Sequence, residues 1–177
     1  MKTMQILLLA MGVMLFSCKQ ENTTNVEPIE ISEKVDTIQK YLFSTPETWS
    51  AIQQDFKGKG KFGSVNFLKF KPMADYTGIE VSDKQTGKTG KEVYQYYIKL
   101  VDELLEKNNY GRTIYFGESQ NFLVGPNDEL WDAVILVEYE SVEDFVNFIR
   151  SDEYNQIAAP HRAASLDDTR LLPSTRF

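Results

Sequence analysis

Downstream of residue 43, the pattern of apolar and polar positions predicts a small α+β domain. Apolar residues at helical spacing predict three main helices and a short fourth one, which begin at Pro46, near Lys91, after Ser141 and at Tyr154. Runs rich in β-branched and aromatic residues predict strands over residues 65–70, 111–124, 131–139 and 169–172. Pro160 is expected to stop the fourth helix.

Local capping chemistry supports the starts of the three main helices. Thr45 stands before Pro46, Thr89 is followed three residues later by Glu92, and Ser141 precedes an acidic first turn. From the first strand on, the order is strand, helix, strand, strand, helix, strand. This order is typical of the ferredoxin-like split βαβ arrangement, an α+β fold with a four-stranded antiparallel sheet.

The strand at 131–139 is apolar on both of its faces. One face would carry Trp131, Ala133, Ile135, Val137 and Tyr139. The other face has Val134 and Leu136 at its centre, whereas a half-solvated strand would alternate cleanly between apolar and polar residues. Two helices can cover only one face of the sheet. We therefore expect either a second subunit, giving a homodimer, or the helix at Pro46 to cover the other face.

Residues 1–17 have the pattern of a secretion signal. Lys2 precedes an apolar run from Ile6 to Phe16, which is too short to span a bilayer. The four residues ending at Cys18 resemble a bacterial lipobox, which implies a signal peptide over 1–17 and acylation of Cys18. Cys18 is the only cysteine, so an internal disulfide is excluded. We expect an exported lipoprotein held in the lipid bilayer by its acyl chains. Lys19 in place of Asp favours the outer over the inner membrane.

Residues 18–42 are polar and charged and predict a flexible tether, so the folded domain would span 43–177. The chain carries a formal net charge of -7, which makes nucleic acid an unsuitable partner. A single histidine excludes a multi-histidine metal site. The GxGxxG spacing at 58–63 follows a predicted helix and opens a strand, the reverse of a dinucleotide fingerprint. We expect neither a metal nor a cofactor.

Three segments carry a resemblance to a known family. They are VNFLKFKPMADY at 65–76, Val124-Gly125-Pro126, and the run at 131–172 that includes His161-Arg162 and Asp168-Thr169-Arg170-Leu171. They resemble domain-of-unknown-function family 1330, over roughly 43–177, with an enlarged loop at 77–90. The resemblance implies a ferredoxin-like fold that pairs into a dimeric α/β barrel. It implies no substrate, because the family's activity is uncharacterised.

Four residues are candidates for a ligand site, namely Asn66, Tyr139, His161 and Arg162. His161 and Arg162 are expected in a polar segment between the last helix and the last strand, where they could form a general base or an anion clamp. Alternatively, Arg162 and Arg170 could pair with Asp167, Asp168 or Glu138 to fix the C-terminal segment. Asn66 is polar in an apolar strand and needs either a ligand or a backbone partner.

Three functions are compatible with these observations. The first is a dimeric module that binds a small molecule in a cleft between sheet and helices. The second is a cofactor-free enzyme, such as a monooxygenase or an isomerase. The third is a structural or interaction protein of the cell envelope. Fold alone does not choose among them, and we favour the binding module because no acid–base pair can be named.

Overall fold

The computed structural model describes residues 42–176. The helices are α1 (Pro46–Phe56), α2 (Gly90–Asn108), α3 (Val142–Arg150) and α4 (Ala159–Ser165), with a π-helix (Tyr154–Ala158) directly before α4. The strands are β1 (Phe62–Phe70), β2 (Gly111–Glu118), β3 (Ala133–Tyr139) and β4 (Leu166–Thr175). Every predicted element is present, and β1 and β4 are longer than expected.

The four strands form one antiparallel sheet in the order β2-β3-β1-β4. This order, with one helix between β1 and β2 and another between β3 and β4, is the ferredoxin-like arrangement. At the centre of the sheet, Val65 of β1 lies opposite Leu136 of β3 and Leu172 of β4. The predicted α+β, ferredoxin-like fold is therefore confirmed.

Helix starts follow the predicted capping residues. The Thr45 side chain accepts a hydrogen bond from the Thr48 amide, and Thr89 and Glu92 form a reciprocal capping box at the start of α2. Helix α2 is capped at its C-terminal end by Asn109, whose left-handed backbone (φ 53°) lets the chain reverse into β2. These local contacts explain why the sequence pattern predicted the starts of α1, α2 and α3 well.

One face of the sheet is covered by helices and forms the main core. Its strand residues include Phe62, Leu68, Ile135, Val137 and Tyr139, and all are buried. Helices α2 and α3 pack on this face. Helix α1 joins the same side, where Trp49 contacts Phe145 and Phe56 contacts Phe62, with ring centroids 5.7 and 5.2 Å apart.

The opposite face, which we call the open face, consists of Val65, Phe67, Tyr115, Val134, Leu136 and Leu172. Tyr115 and Leu172 are 56% and 59% exposed, and the other four residues are half-buried. Because α1 packs on the helical side, it does not serve as the alternative cover for this face. Within residues 42–176, no helix covers the open face.

Two predictions around the β2–β3 connection are wrong. Strand β2 ends at Glu118 rather than near Val124, because the apolar residues beyond it leave the sheet, and Phe122 packs against Phe67 with ring centroids 6.0 Å apart. Trp131 was expected on the same face as Ala133. It precedes β3, and its ring instead contacts Phe67 and lies under Arg170.

Pro160 was predicted to stop the short helix that begins at Tyr154, and it does not. The π-helix ends at Ala158, and Pro160 lies in the first turn of α4, a position that proline commonly occupies. His161 and Arg162 are therefore helical residues and do not lie in a polar connecting segment.

The predicted signal peptide, Cys18 and the predicted tether up to residue 41 lie outside the described residues. Within residues 42–176, no helix is both long enough and apolar enough to cross a membrane.

Candidate functional site

Helix α4 directs Arg162 toward a group of tyrosines on the helical side of the sheet. Its guanidinium interacts electrostatically with the phenols of Tyr94, Tyr97, Tyr139 and Tyr154. Tyr94 and Tyr97 belong to α2, Tyr139 ends β3, and Tyr154 begins the π-helix. The rings of Tyr94 and Tyr97 lie 5.0 Å apart, and the hydroxyls of Tyr97 and Tyr154 lie 3.3 Å apart. We call these five residues the Arg162 site.

Arg162 has no carboxylate partner within the described residues. Asp168 pairs with Arg170 at 2.7 Å, and Glu138 pairs with Arg176 at 2.6 Å. Arg162 Nη1 donates one long hydrogen bond, of 3.5 Å, to the carbonyl oxygen of Leu42. The alternative in which Arg162 fixes the C-terminal segment through an acid is thus not found in residues 42–176, although Arg170 does form such a pair.

Three phenols of the Arg162 site, those of Tyr94, Tyr97 and Tyr139, remain protonated at neutral pH. Burial raises the pKa of Tyr94, Tyr97 and Tyr139, and the positive charge of Arg162 offsets this only in part. Neutral phenols can donate hydrogen bonds but cannot balance a cation. The site therefore combines one half-buried positive charge with several hydroxyl donors, an arrangement suited to an anionic or carbonyl oxygen.

His161 lies on another side of α4 and is fully buried, with 0% exposure. Its Nδ1 lies 2.6 Å from the hydroxyl of Tyr76, and its Nε2 lies 3.3 Å from Oδ1 of Asp83. Tyr96 of α2 donates to the other carboxylate oxygen of Asp83 at 2.5 Å. We call these four residues the His161 network. It joins the enlarged loop to α2 and α4.

The charges in the His161 network fix its hydrogen-bond directions. The hydrogen bond from Tyr96 is the main cause that lowers the pKa of Asp83, so this carboxylate is ionised and only accepts. Nε2 of His161 must therefore carry the hydrogen, and Nδ1 accepts from Tyr76. Burial lowers the pKa of His161, against the opposing effect of Asp83. The bond to Asp83 raises the pKa of Tyr96 to about 12.

Asn66 lies on the helical face of β1 and is buried. Its side-chain amide donates to the carbonyl oxygen of Ser64 at 3.2 Å and to the Ser64 hydroxyl at 2.9 Å. These local partners satisfy its amide hydrogens without a ligand, which is the backbone-bonded alternative considered for this residue.

The described residues were also compared with two other kinds of site, a metal site and a surface groove. Among residues 42–176, no group of three or more histidine, cysteine or acidic side chains is placed to hold a metal ion. One surface groove of about 420 Å³ lies between α1 and α3, and one of about 370 Å³ lies beside the start of α2. None of the four predicted site residues lines either groove.

The family model "Domain of unknown function (DUF1330)" matches residues 85–174, just over half of the chain. The chain belongs to the DUF1330 family. The match runs from the end of the enlarged loop through nearly all of β4, so it includes His161, Arg162 and all four tyrosines of the Arg162 site. Tyr76 and Asp83, which lie in the connection between β1 and α2, precede it.

Solved structures resemble this DUF1330 protein over most of its length. The RPA0582 protein of unknown function from Rhodopseudomonas palustris matches with a TM-score of 0.65 and 28% identity, covering 77% of this chain and 97% of its own. Its methylated form gives the same TM-score and identity and covers 77% and 95% of the two chains. A search of curated proteins gives no match.

A weaker similarity is to a dimeric protein of unknown function and ferredoxin-like fold from Bacteroides fragilis. Its TM-score is 0.39 with 14% identity, over 68% of this chain and 99% of the other. The fold of the DUF1330 protein is established by its own strand order, not by this similarity.

The structure brings Tyr139 and Arg162 together and separates them from His161, which faces the loop. Sequence reasoning missed the other tyrosines of the Arg162 site. The sequence offered only a weak indication of them. Tyr94 and Tyr97 are three residues apart on one face of α2, and aromatic residues at this spacing usually indicate core packing and not a ligand site. Tyr154 begins the short predicted helix, and nothing local connects it to them. In this DUF1330 protein the site becomes visible only once the helices are packed.

Proposed function

We propose that this DUF1330 protein is a membrane-anchored homodimer that binds a small molecule at the Arg162 site. The observation that carries the proposal is the state of Arg162, which is half-buried, faces phenols and has no carboxylate partner among residues 42–176. Removing a cation from water without an anionic partner costs free energy. A ligand with anionic or carbonyl oxygens would supply the partner.

A cofactor-free enzyme is the less favoured alternative. Acid–base catalysis needs a group that exchanges protons near neutral pH and can reach the substrate. Burial raises the pKa of Tyr94, Tyr97 and Tyr139, and His161 has no exposed surface. A structural or interaction role at the envelope would leave the unpaired charge of Arg162 without an explanation.

The open face supports the homodimer. An apolar sheet face is stable when another layer covers it, and here none of the helices in residues 42–176 does so. A second copy that packs its own open face against the first would bury Val65, Phe67, Val134 and Leu136. Such face-to-face pairing would also form the dimeric α/β barrel.

The N-terminal sequence supports the anchor. Residues 1–17 have the three parts of a secretion signal, and the sole cysteine follows directly. Acyl chains on Cys18 would hold the domain at the outer membrane, since Lys19 replaces the Asp that favours retention at the inner membrane. The acidic domain gains nothing from anionic headgroups, so acylation would provide the attachment.

The binding proposal can be tested by replacing Arg162. The wild-type chain, Arg162→Gln and Arg150→Gln would be purified in detergent, denatured and extracted, and the extracts compared by mass spectrometry. Arg150 is an exposed arginine at the end of α3 and serves as the matched control. We expect a small molecule that co-purifies with the wild type and the control and is absent from Arg162→Gln. Identical extracts from all three, including extracts without any such compound, would contradict the proposal.

A further inference from the structure

The chemistry around Arg162 limits the ligand to a narrow class. We infer that the Arg162 site accepts a single carboxylate attached to a flat apolar body, and that this carboxylate displaces the carbonyl oxygen of Leu42 from Arg162. The inference rests on the proposed binding function and adds to it the ligand class and the segment that must move.

A single negative charge fits the site better than two. Arg162 is the cation whose charge acts on Tyr94, Tyr97 and Tyr139, and its guanidinium has no charged partner among residues 42–176. One carboxylate balances one guanidinium and matches its planar pair of donors. A phosphate or sulfate dianion would leave a net negative charge among buried rings, which is costly.

The tyrosine hydroxyls provide a second reason for an acceptor-only group. The hydroxyls of Tyr97 and Tyr154 lie 3.3 Å apart, so one donates to the other and the second keeps its hydrogen for another acceptor. A carboxylate has several lone pairs and no hydrogen of its own. It can therefore accept from this hydroxyl pair as well as from Arg162.

The tyrosines of the Arg162 site are buried rings of the main core. A ligand that replaces Leu42 at this core would contact rings, which favours a flat apolar body on the ligand. Tyr154 packs against Phe148 at 4.8 Å between centroids, and Phe148 packs against Tyr139 at 6.0 Å. Tyr94 and Tyr97 form another ring pair at 5.0 Å. Aromatic walls of this kind gain contact area from a planar ligand through offset or edge contacts.

Leu42 holds the position that the ligand oxygen would take. Its carbonyl is the one described acceptor of an Arg162 hydrogen bond, at 3.5 Å, and it carries no charge. Leu42 is half-buried, whereas the following residues through Thr45 are exposed, with Phe43 at 71%. Leu42 also packs against the main core. Moving residues 42–44 would therefore uncover Arg162 and vacate the place of the Leu42 side chain, which the apolar body of the ligand would fill, and α1 can stay in place.

Two small probes of the same shape distinguish the contribution of charge to binding from that of apolar contacts. Phenylacetate carries the carboxylate, and phenylacetamide replaces it with a neutral amide. Binding of each to the full chain in detergent would be measured by isothermal titration calorimetry, with sulfate as a dianionic competitor. We expect phenylacetate to bind at least tenfold more tightly than phenylacetamide, and sulfate not to displace it. Arg162→Gln should reduce phenylacetate binding to the level of the amide, while Arg150→Gln should not change it.

Hydrogen exchange tests the displacement of Leu42. On addition of phenylacetate, amides of residues 42–45 should exchange faster, while those of α2 should not. Equal affinity for the two probes, no binding of phenylacetate, or unchanged exchange at 42–45 would overturn the inference. If a neutral or dianionic compound co-purifies in an Arg162-dependent manner, the binding function stands and only the ligand class fails. If probes bind the wild type and Arg162→Gln equally, both fail.

Discussion

The fully buried His161 predicts a specific loss of stability at mildly acidic pH. It is the only histidine in the chain, and the groups that face it are Tyr76 and Asp83 from the β1–α2 connection and Tyr96 from α2. Because no other side chain normally titrates between pH 5.5 and 7.5, any stability change in this range should come mainly from His161. The experiment therefore changes the pH and compares the wild type with a variant that lacks the imidazole.

The direction follows from the lowered pKa of His161. Burial makes the folded state bind a proton less readily than the unfolded state does. As the pH falls through the unfolded pKa of about 6.5, the unfolded state takes up protons and becomes relatively more stable. The free energy of unfolding should therefore be highest above about pH 7 and fall as the pH decreases. Carboxylates with lowered pKa values, such as Asp83, lose their contribution only at more acidic pH.

The size of the effect has an upper limit. A pH of 5.5 is one unit below the pKa of the imidazole in the unfolded state, which is about 6.5. The free energy of unfolding at pH 5.5 is therefore lower than at pH 7.5 by at most about 1.4 kcal/mol. For a domain of this size, that corresponds to a decrease in melting temperature of roughly 4–7 °C.

The assay is urea unfolding of the full chain in detergent at pH 7.5 and 5.5, followed by tryptophan fluorescence. We compare the wild type with His161→Gln and use the difference between the two pH values within each protein, so that a constant cost of the substitution cancels. The wild type should lose stability and His161→Gln should not. Equal losses in both proteins, or no loss in the wild type, would refute the assigned role of the buried imidazole.

Three further predictions concern other parts of the chain. Gly90→Ala should destabilise the fold by roughly 3 kcal/mol in thermal unfolding, because an added Cβ would lie 2.5 Å from the carbonyl oxygen of Lys71; an unchanged melting temperature would contradict this. Leu136→Glu should convert a dimer to a monomer or unfold it in sedimentation experiments, whereas Ile157→Glu, at an exposed position on the π-helix, should not. Cys18→Ala should leave the protein unprocessed or release it from the membrane fraction, and an unmodified Cys18 in the mature wild type would oppose the anchor.

Local chemistry made much of the fold predictable from the sequence. Caps such as Thr45 and the Thr89–Glu92 box involve residues only three positions apart, so the sequence around them is enough to predict them. Strand β3 was predictable for a similar reason, because its alternation places Ile135 and Leu136 on opposite faces. The order of these elements then left the ferredoxin-like arrangement as the natural prediction.

The site was less predictable because its contacts are distant in sequence. Pro160 has the same local signature whether it stops one helix or begins the next, and only the packed π-helix decides between them. The bond between Tyr76 and His161 joins residues 85 positions apart, and no periodic pattern signals such a pair. Arg162 was a candidate from the sequence, but the absence of an acid beside it within residues 42–176 required the tertiary structure.

The position of β1 in the sheet has a consequence for the order in which the domain can be completed. Among residues 42–176, β1 is the first strand, yet one of its two neighbours is β4, the last. Thr169 donates to the carbonyl oxygen of Phe67, 102 residues earlier. As the chain is synthesised from its N-terminus, β1 keeps an unpaired edge until β4 has been made. The sheet therefore closes late, after almost the whole domain has emerged, and until then the free edge of β1 is open to pairing with other chains.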